Sequence, residues 1–527
     1  MGLTTLNVVI LISYVGAMIG VGVWFARRQR SGDDYFLGGR NLPWLAVGMS
    51  MYASVTSAMT FMGLPGLAYR ENISLLVVGV LSPLVAPILI VVFYPVYRSL
   101  GLTTSYQFIE HRFGVFASRA AAVLFMLART GWLGTVIYAP SLALHVVAGL
   151  PIWVAILLIG TLATLYCMLG GMSAVVWTDV PQFIIMIGGA VWVATLLVQN
   201  VEGGVAGILH TAHVQERLGL FDWSFRPLEM TAAAVALSYF FYLMYDYGVD
   251  QVSVQRLMSV RSARGVAKAI GFNAMTDLVI ISLLLFIGTG LFVYYQAHPG
   301  LLPEEIAGDR VLPYFILHQL PNGVSGLLLA ALFAAAMSSV DSGLNSLTAV
   351  ALRDVVRVPS VREGSHAVGL ARATTIGLGI FVILLSIFIH FWIKGIVETF
   401  LTFVGLFSAP ILGLFLLGMF TRRVKTQAWL IGAGLAIGTV LTVKAQGLLH
   451  QIYYFPLSLA ITVTVSLAVC RLPTLQRRHW KRAVGFYHER FGINAEEVKI
   501  LGLILGLCVL GLIVWILRSM GVWSWPG

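Results

Sequence analysis

Four ionisable side chains, Arg129, Asp179, Asp246 and Asp341, lie deep inside long apolar runs of the chain. In hydrocarbon each costs roughly 2.5–3.5 kcal/mol on insertion scales, so each must face a protein interior or a water-filled cavity. Around Asp341, the segment from Ala334 to Asn345 is crowded with alanine, serine and amide side chains. On a helix, Ala335, Ser338, Asp341, Ser342 and Asn345 fall on one stripe. That stripe is a ladder of oxygens, and a hard monovalent cation such as Na⁺ takes hydroxyls, freed carbonyls and a carboxylate. The competing reading is that small and hydroxyl residues only let helices pack closely and hydrogen-bond across.

Two further segments read as interrupted helices. Between Gly48 and Gly63, Ser50, Ser54, Thr56, Ser57 and Thr60 crowd the middle of an apolar run, and Tyr245 to Asp250 places two aspartates and a glycine in the inner half of another. A broken helix exposes backbone carbonyls, which membranes tolerate only beside a cavity or a bound ion. Arg129 and Asp246 both fall near mid-span. Either they form a structural ion pair, or the guanidinium fork holds a substrate carboxylate while Asp246 meets an amine, a hydroxyl or a proton. Phe61, Tyr242, Tyr245 and Phe403 either wall such a site or simply pack. Asp179 and Asp341 share a level in the inner third.

The elements that position these groups follow from composition. Hydrophobic residues make up 59% of the 527 and charged residues 10%, with a mean hydropathy of +0.90. A soluble domain carries about 25% charged residues, so soluble, disordered, coiled-coil and nucleic-acid-binding classes are excluded. Runs of this length predict an all-α polytopic membrane protein. Fourteen spans are expected, at 5–26, 42–69, 73–97, 116–147, 152–170, 174–198, 230–256, 269–295, 324–350, 373–393, 396–420, 427–446, 452–470 and 499–518. The first is too long for a signal-peptide core and lacks a basic leader, so it reads as a retained helix. Cys167, Cys470 and Cys508 show no metal spacing.

With the N-terminus outside, the cytoplasmic loops hold 25 of the 33 Lys and Arg residues, the outer side 7, and Arg129 is within a span. The positive-inside rule then puts both termini outside. The outer loops at 199–229 and 296–323 are the longest on that side; the second, rich in proline, reads as a cap. The stretch 472–498 is basic, amphipathic and cytoplasmic. No nucleophile–base or metal cluster of an enzyme is present, and a single oxygen ladder is not the ring of a channel.

Taken in order, these segments resemble the sodium/solute symporter family, of LeuT-type architecture. The resemblance rests on Asp34 to Arg40, Gly101 to Tyr106, Ile137 to Pro140, Gly170 to Asp179, Tyr247 to Arg256 and Ser338 to Ser342. It covers most of the chain and is nearest to the branch carrying iodide, monocarboxylates and vitamins. It implies two inverted five-helix repeats, 42–199 and 230–421, joined by the outer loop 200–229. Before them stand one extra span and a cytoplasmic loop, 1–41, and after them three extra spans, 422–527.

The resemblance also implies a sodium site formed by the carbonyls of Ala53, Thr56 and Ala335 with the hydroxyls of Ser338 and Ser339. A second site, for Na⁺ or a proton, falls on Asp179, Asp341 and Ser342; Asp341 stands where the family has serine. The substrate residues it points to, with those read above, are Ser57, Thr60, Ser82, Arg129, Tyr245 and Asp246. Thr60 and Leu243 replace larger amides and Ser82 replaces a carboxylate, which disfavours a hexose. The expectation is a Na⁺-coupled symporter, functional as a monomer in the plasma membrane (the inner membrane of a bacterium). It imports a small carboxylate-bearing or zwitterionic solute by alternating access. Proton coupling, or a sodium/sugar symporter, is the alternative.

Overall fold

The computed structural model describes residues 4–470 except 27–31, 219–222, 225, 305, 307, 322, 359–364, 393–395 and 423. The expected last span, 499–518, and the basic stretch 472–498 lie outside the described residues. The principal helices are α1 (Thr5–Ala26), α2 (Trp44–Val55), α3 (Ala58–Arg70), α4 (Leu76–Ile88), α5 (Val115–Ala148), α6 (Ile152–Asn200), α7 (Ala232–Gly248), α8 (Gln251–Ser259), α9 (Ala263–Ala297), α10 (Val324–Val350), α11 (Ser365–Trp392), α12 (Ile396–Phe403), α13 (Ala409–Phe420), α14 (Thr426–Gln446) and α15 (Tyr454–Val469). Among the described residues nine helices are long and apolar enough to cross a membrane, or ten if α2 and α3 are one broken span. The spans expected at 152–170, 230–256 and 324–350 are also helical.

Three breaks shape the molecule. The expected interruption of the 42–69 span is present: α2 ends at Val55, Thr56 has ψ 87° and Ser57 ψ 168°, and the axis bends by 54° into α3. Ser54 weakens the helix just before that point, its hydroxyl donating back to the Ser50 carbonyl at 2.7 Å. The second break separates α7 from α8. There the Asp250 side chain caps α8 by accepting from the Val252 amide at 2.9 Å. The freed carbonyls of Tyr247 and Gly248 accept the hydroxyls of Tyr94 and Tyr97, each at 2.6 Å. Third, Gly171 takes φ 56° and ψ −168° inside α6, dividing it where the sequence places the boundary between spans. Only glycine adopts that backbone without a steric penalty.

One expectation needs correction here. Arg256 was counted among the cytoplasmic loop charges, but it lies on α8 and its side chain is completely buried. The break at Val249–Asp250 redirects the chain, so the end of that span runs through the protein interior and not out into water.

α10 is enclosed by α1, α2, α5 and α6, and α9 covers α3 and α4. The α9–α3 contact depends on close backbone approach: a Cβ added at Gly288 would lie 2.3 Å from the Pro65 carbonyl oxygen. Gly288→Ala should therefore destabilise the fold by about 1–3 kcal/mol, the usual range for overpacking. Thermal unfolding in detergent measures this; an unchanged melting temperature would mean that α3 moves freely relative to α9.

Candidate ion and solute site

The break in the first span meets α10 directly. Ser338 donates its hydroxyl to the Ala53 carbonyl at 2.6 Å, and Ser339 donates to the Ser54 carbonyl at 2.9 Å. These carbonyls belong to the last turn of α2, which has no helical partners of its own. Ala335 lies one turn earlier on α10, and Thr56 is buried beside the break. Of the five residues expected to hold an ion, Ala53 and Ser338 are thus in direct contact, and Ser339 reaches the neighbouring Ser54 carbonyl at the same junction of α2 and α10. A serine hydroxyl rotates about one bond, so these hydroxyls can present oxygen lone pairs to a cation beside the two carbonyls.

A second polar cluster lies along α10 from this point. Asp179 Oδ2 accepts from Ser50 at 2.5 Å and from Ser54 at 3.2 Å, and pairs with Arg256 at 3.3 Å. Ser342 hydrogen-bonds Ser54 at 2.8 Å and donates to Asp341 Oδ1 at 3.0 Å, and it also accepts from Arg256. The two carboxylates expected at one level are therefore linked through Ser54 and Ser342. The sequence did not suggest Arg256 as a member of this cluster. Asp179 Oδ1, Asp341 Oδ2 and both amide atoms of Asn345 are buried without a hydrogen-bond partner among the described residues.

A cavity of about 180 Å³ opens beside the break. Its walls include Thr56, Ser57, Thr60, Arg129, Tyr242, Asp246 and Asp277, and it runs up to Arg70 and Asp309 on the side of the 296–323 loop. Arg70 and Asp309 stand 4.0 Å apart there, both partly exposed. Burial raises the Asp309 carboxyl above its ordinary range, and Arg70 and Arg310 pull it back down. At the opposite end three side chains tie neighbouring segments together. Arg98 donates to the Val260 carbonyl at 3.0 Å, Gln251 to the Thr103 carbonyl at 3.0 Å, and Arg357 to Glu110 at 2.6 Å.

Of the expected solute residues, Ser57, Thr60, Arg129 and Asp246 line the cavity. Ser82 and Tyr245 are not among its walls. Ser82 donates to Asp277 Oδ2 at 2.6 Å, and the Tyr245 ring packs toward Phe455. Arg129 and Asp246 could be either an ion pair or a solute clamp on sequence grounds; both line the cavity, and the ion pair the structure shows is Arg129 with Asp250, the guanidinium lying 4.3 Å over the Trp132 ring. Asp250 reaches Arg129 because the break turns it out of the line of α7.

Asp277 was missed. It is an isolated acid in the strongly apolar α9, with the same signal that singled out Asp246, and Tyr247 and Ser82 each hold its Oδ2 at 2.6 Å.

Comparison with known proteins decides the family. The sodium:solute symporter family is matched over residues 35–438. This chain belongs to that family. It is a multi-pass membrane transporter that carries Na⁺ with a solute, and it is not an enzyme. A sodium/sialic acid symporter of Aliivibrio fischeri is 32% identical over 466 residues, covering 88% of this symporter and 92% of that protein. The human sodium/iodide cotransporter is 33% identical, over 79% of this chain and 66% of its own. A solved Na⁺-coupled sialic acid symporter, substrate-bound and outward-open, superposes with a TM-score of 0.84 at 30% identity, covering 90% of this chain and 99% of that one.

The buried Arg256–Asp179 contact gives a direct test. Asp179→Asn leaves a desolvated guanidinium without its counter-charge, which should cost about 3–5 kcal/mol. Adding Arg256→Gln should recover most of that loss. Thermal unfolding of the two single variants and the double variant checks the coupling; additive losses would contradict it.

Proposed function

We propose that this symporter imports a small carboxylate-bearing or zwitterionic organic solute, driven by Na⁺, through alternating access of two inverted repeats, 42–199 and 230–421. Both termini lie outside, and the chain acts as a monomer in the lipid bilayer. The observation that carries the reading is the junction of α2 and α10, where Ala53 and Ser54 carbonyls meet Ser338 and Ser339 hydroxyls at 2.6 and 2.9 Å.

A Na⁺ held there by Ala53, Thr56, Ala335, Ser338 and Ser339 clamps the broken span against α10. Thr56 also forms part of the cavity wall. Ion binding therefore fixes one side of the solute site, and the two ligands stabilise one another because each orders what the other needs. The cavity extends to Arg70 and Asp309 on the side assigned as outer, as an outward-facing state requires. Each Na⁺ entering down its gradient gains about 2.3 kcal/mol per 100 mV of membrane potential. Ser57, Thr60, Arg129 and Asp246 contact the solute; Ser82 acts one step removed, through Asp277.

Asp179, Asp341 and Ser342 form a second site. Their unpartnered carboxylate oxygens support a second cation there, and equally support a proton, which keeps proton coupling as the alternative reading. A hexose is disfavoured by the resemblance, in which Thr60 and Leu243 stand in place of larger amides and Ser82 in place of a carboxylate.

Uptake into proteoliposomes separates these readings. Sialic acid, monocarboxylates, amino acids, vitamins and sugars are supplied under an imposed Na⁺ or H⁺ gradient. A Na⁺ gradient alone should drive uptake, and Ser338→Ala with Ser339→Ala should raise the Na⁺ concentration for half-maximal uptake by about tenfold or more. Full uptake under an H⁺ gradient without Na⁺, or an unchanged Na⁺ requirement in the double variant, would overturn the proposal.

A further inference from the structure

The charges around the cavity do not balance. Its ionisable walls are Arg70, Arg129, Asp246, Asp277 and Asp309. Arg70 stands against Asp309 at the mouth. Arg129 is paired from behind by Asp250, which is not itself a cavity wall. Asp246 and Asp277 remain, both at least nine-tenths buried; Arg129 is near enough to act on Asp246, but its ion pair is with Asp250, and no cation within ion-pair distance of Asp246 or Asp277 is found among the described residues. Asp246 Oδ2 has no hydrogen-bond partner among the described residues. Asp277 receives only neutral hydroxyls, from Ser82 and from Tyr247, the residue next to Asp246. Two buried carboxylates, one with a bare oxygen, are well placed to receive a positive group with hydrogens to donate.

We propose that Asp246 and Asp277 are the receptor for a protonated amine on the solute. The inference rests on the cavity assigned above as the solute site, and it names the class of solute that cavity takes: a small amine or zwitterion, not a simple anion. Size agrees, because a cavity of about 150 Å³ holds a molecule such as benzene and this one measures about 180 Å³. The tyrosines agree as well. Tyr239 and Tyr242 line the cavity and meet edge to face at 5.6 Å, and aromatic faces attract ammonium groups. Ser82 and the Tyr247 hydroxyl are positioning groups that aim Asp277.

The test uses the purified full chain, with thermal unfolding followed in NaCl and in KCl. Butylamine, 4-aminobutyrate and the common α-amino acids are compared at millimolar concentration with butyramide, butyrate and the N-acetylated amino acids. Members of the amine set should stabilise the protein in NaCl, and their matched amides and anions should not. Asp246→Asn and Asp277→Asn should each weaken amine binding on the order of tenfold to a hundredfold while keeping the stabilisation that NaCl gives without solute. That retained response also shows that the variants are folded. Binding of the anions or amides alone, or of no amine, overturns the proposal. Loss of the solute-free NaCl response in Asp246→Asn also overturns it, since the carboxylate would then hold the ion. Loss of that response in the Ser338→Ala, Ser339→Ala variant tests the sodium site separately, so the two readings fail independently.

Discussion

A membrane-spanning helix that stops bonding to itself halfway across must pass its carbonyls to another donor, because lipid supplies none. Every functional assignment in this symporter depends on how that requirement is met at Val55–Ser57. The Ala53 and Ser54 carbonyls are received by Ser338 and Ser339 of α10. Serine hydroxyls rotate at little cost, so the same oxygens can bond to one another or converge on an ion. The second break, at Val249–Asp250, meets the requirement differently. Its carbonyls are held by the hydroxyls of two fully buried tyrosines, Tyr94 and Tyr97, and Asp250 caps the following helix. That break is sealed by large side chains packed in place, and its role is to turn Asp250 toward Arg129 and Arg256 into the interior.

Electrostatics follow from these two breaks. In a low-dielectric interior an unpaired charge is far more costly than a paired one. Arg256 is matched with Asp179, and Arg129 with Asp250. Asp246, Asp277 and Asp341 are buried acids without an ion pair among the described residues, and the binding roles proposed above rest on them. Asp341 belongs to the cluster along α10, and the other two to the cavity. Thr56 touches both regions, through the break and through the cavity wall, which gives ion and solute a shared structural element.

Much of this was legible in the sequence. Apolar runs located the helices, and clusters of serine and threonine in one run and of aspartate and glycine in another located two breaks. The facing of Ala53 and Thr56 with Ser338 and Ser339 came from the family resemblance; the structure shows the Ala53–Ser338 contact, while Ser339 meets the Ser54 carbonyl and not that of Thr56. What sequence could not supply was lateral contact. Depth along a helix put Arg129 and Asp246 at one level, yet the partner of Arg129 is Asp250, because the kink redirects the chain by an amount that spacing does not encode. Arg256 looked like a loop charge for the same reason. Ser82 and Tyr245 were on the right helices but face Asp277 and Phe455. Asp277 was readable, as a lone acid in an apolar run.

The central claim is that Na⁺ binds where the first span breaks against α10. Hydrogen–deuterium exchange of the full chain, in Na⁺ against equimolar K⁺ and without solute, tests it most directly. The account predicts slower exchange in Na⁺ for the amides following the break, at residues 56–60, and for the facing turn of α10 around residues 338–342. Exchange that is identical in the two salts at both places, with sodium-dependent protection elsewhere in the molecule, would contradict it.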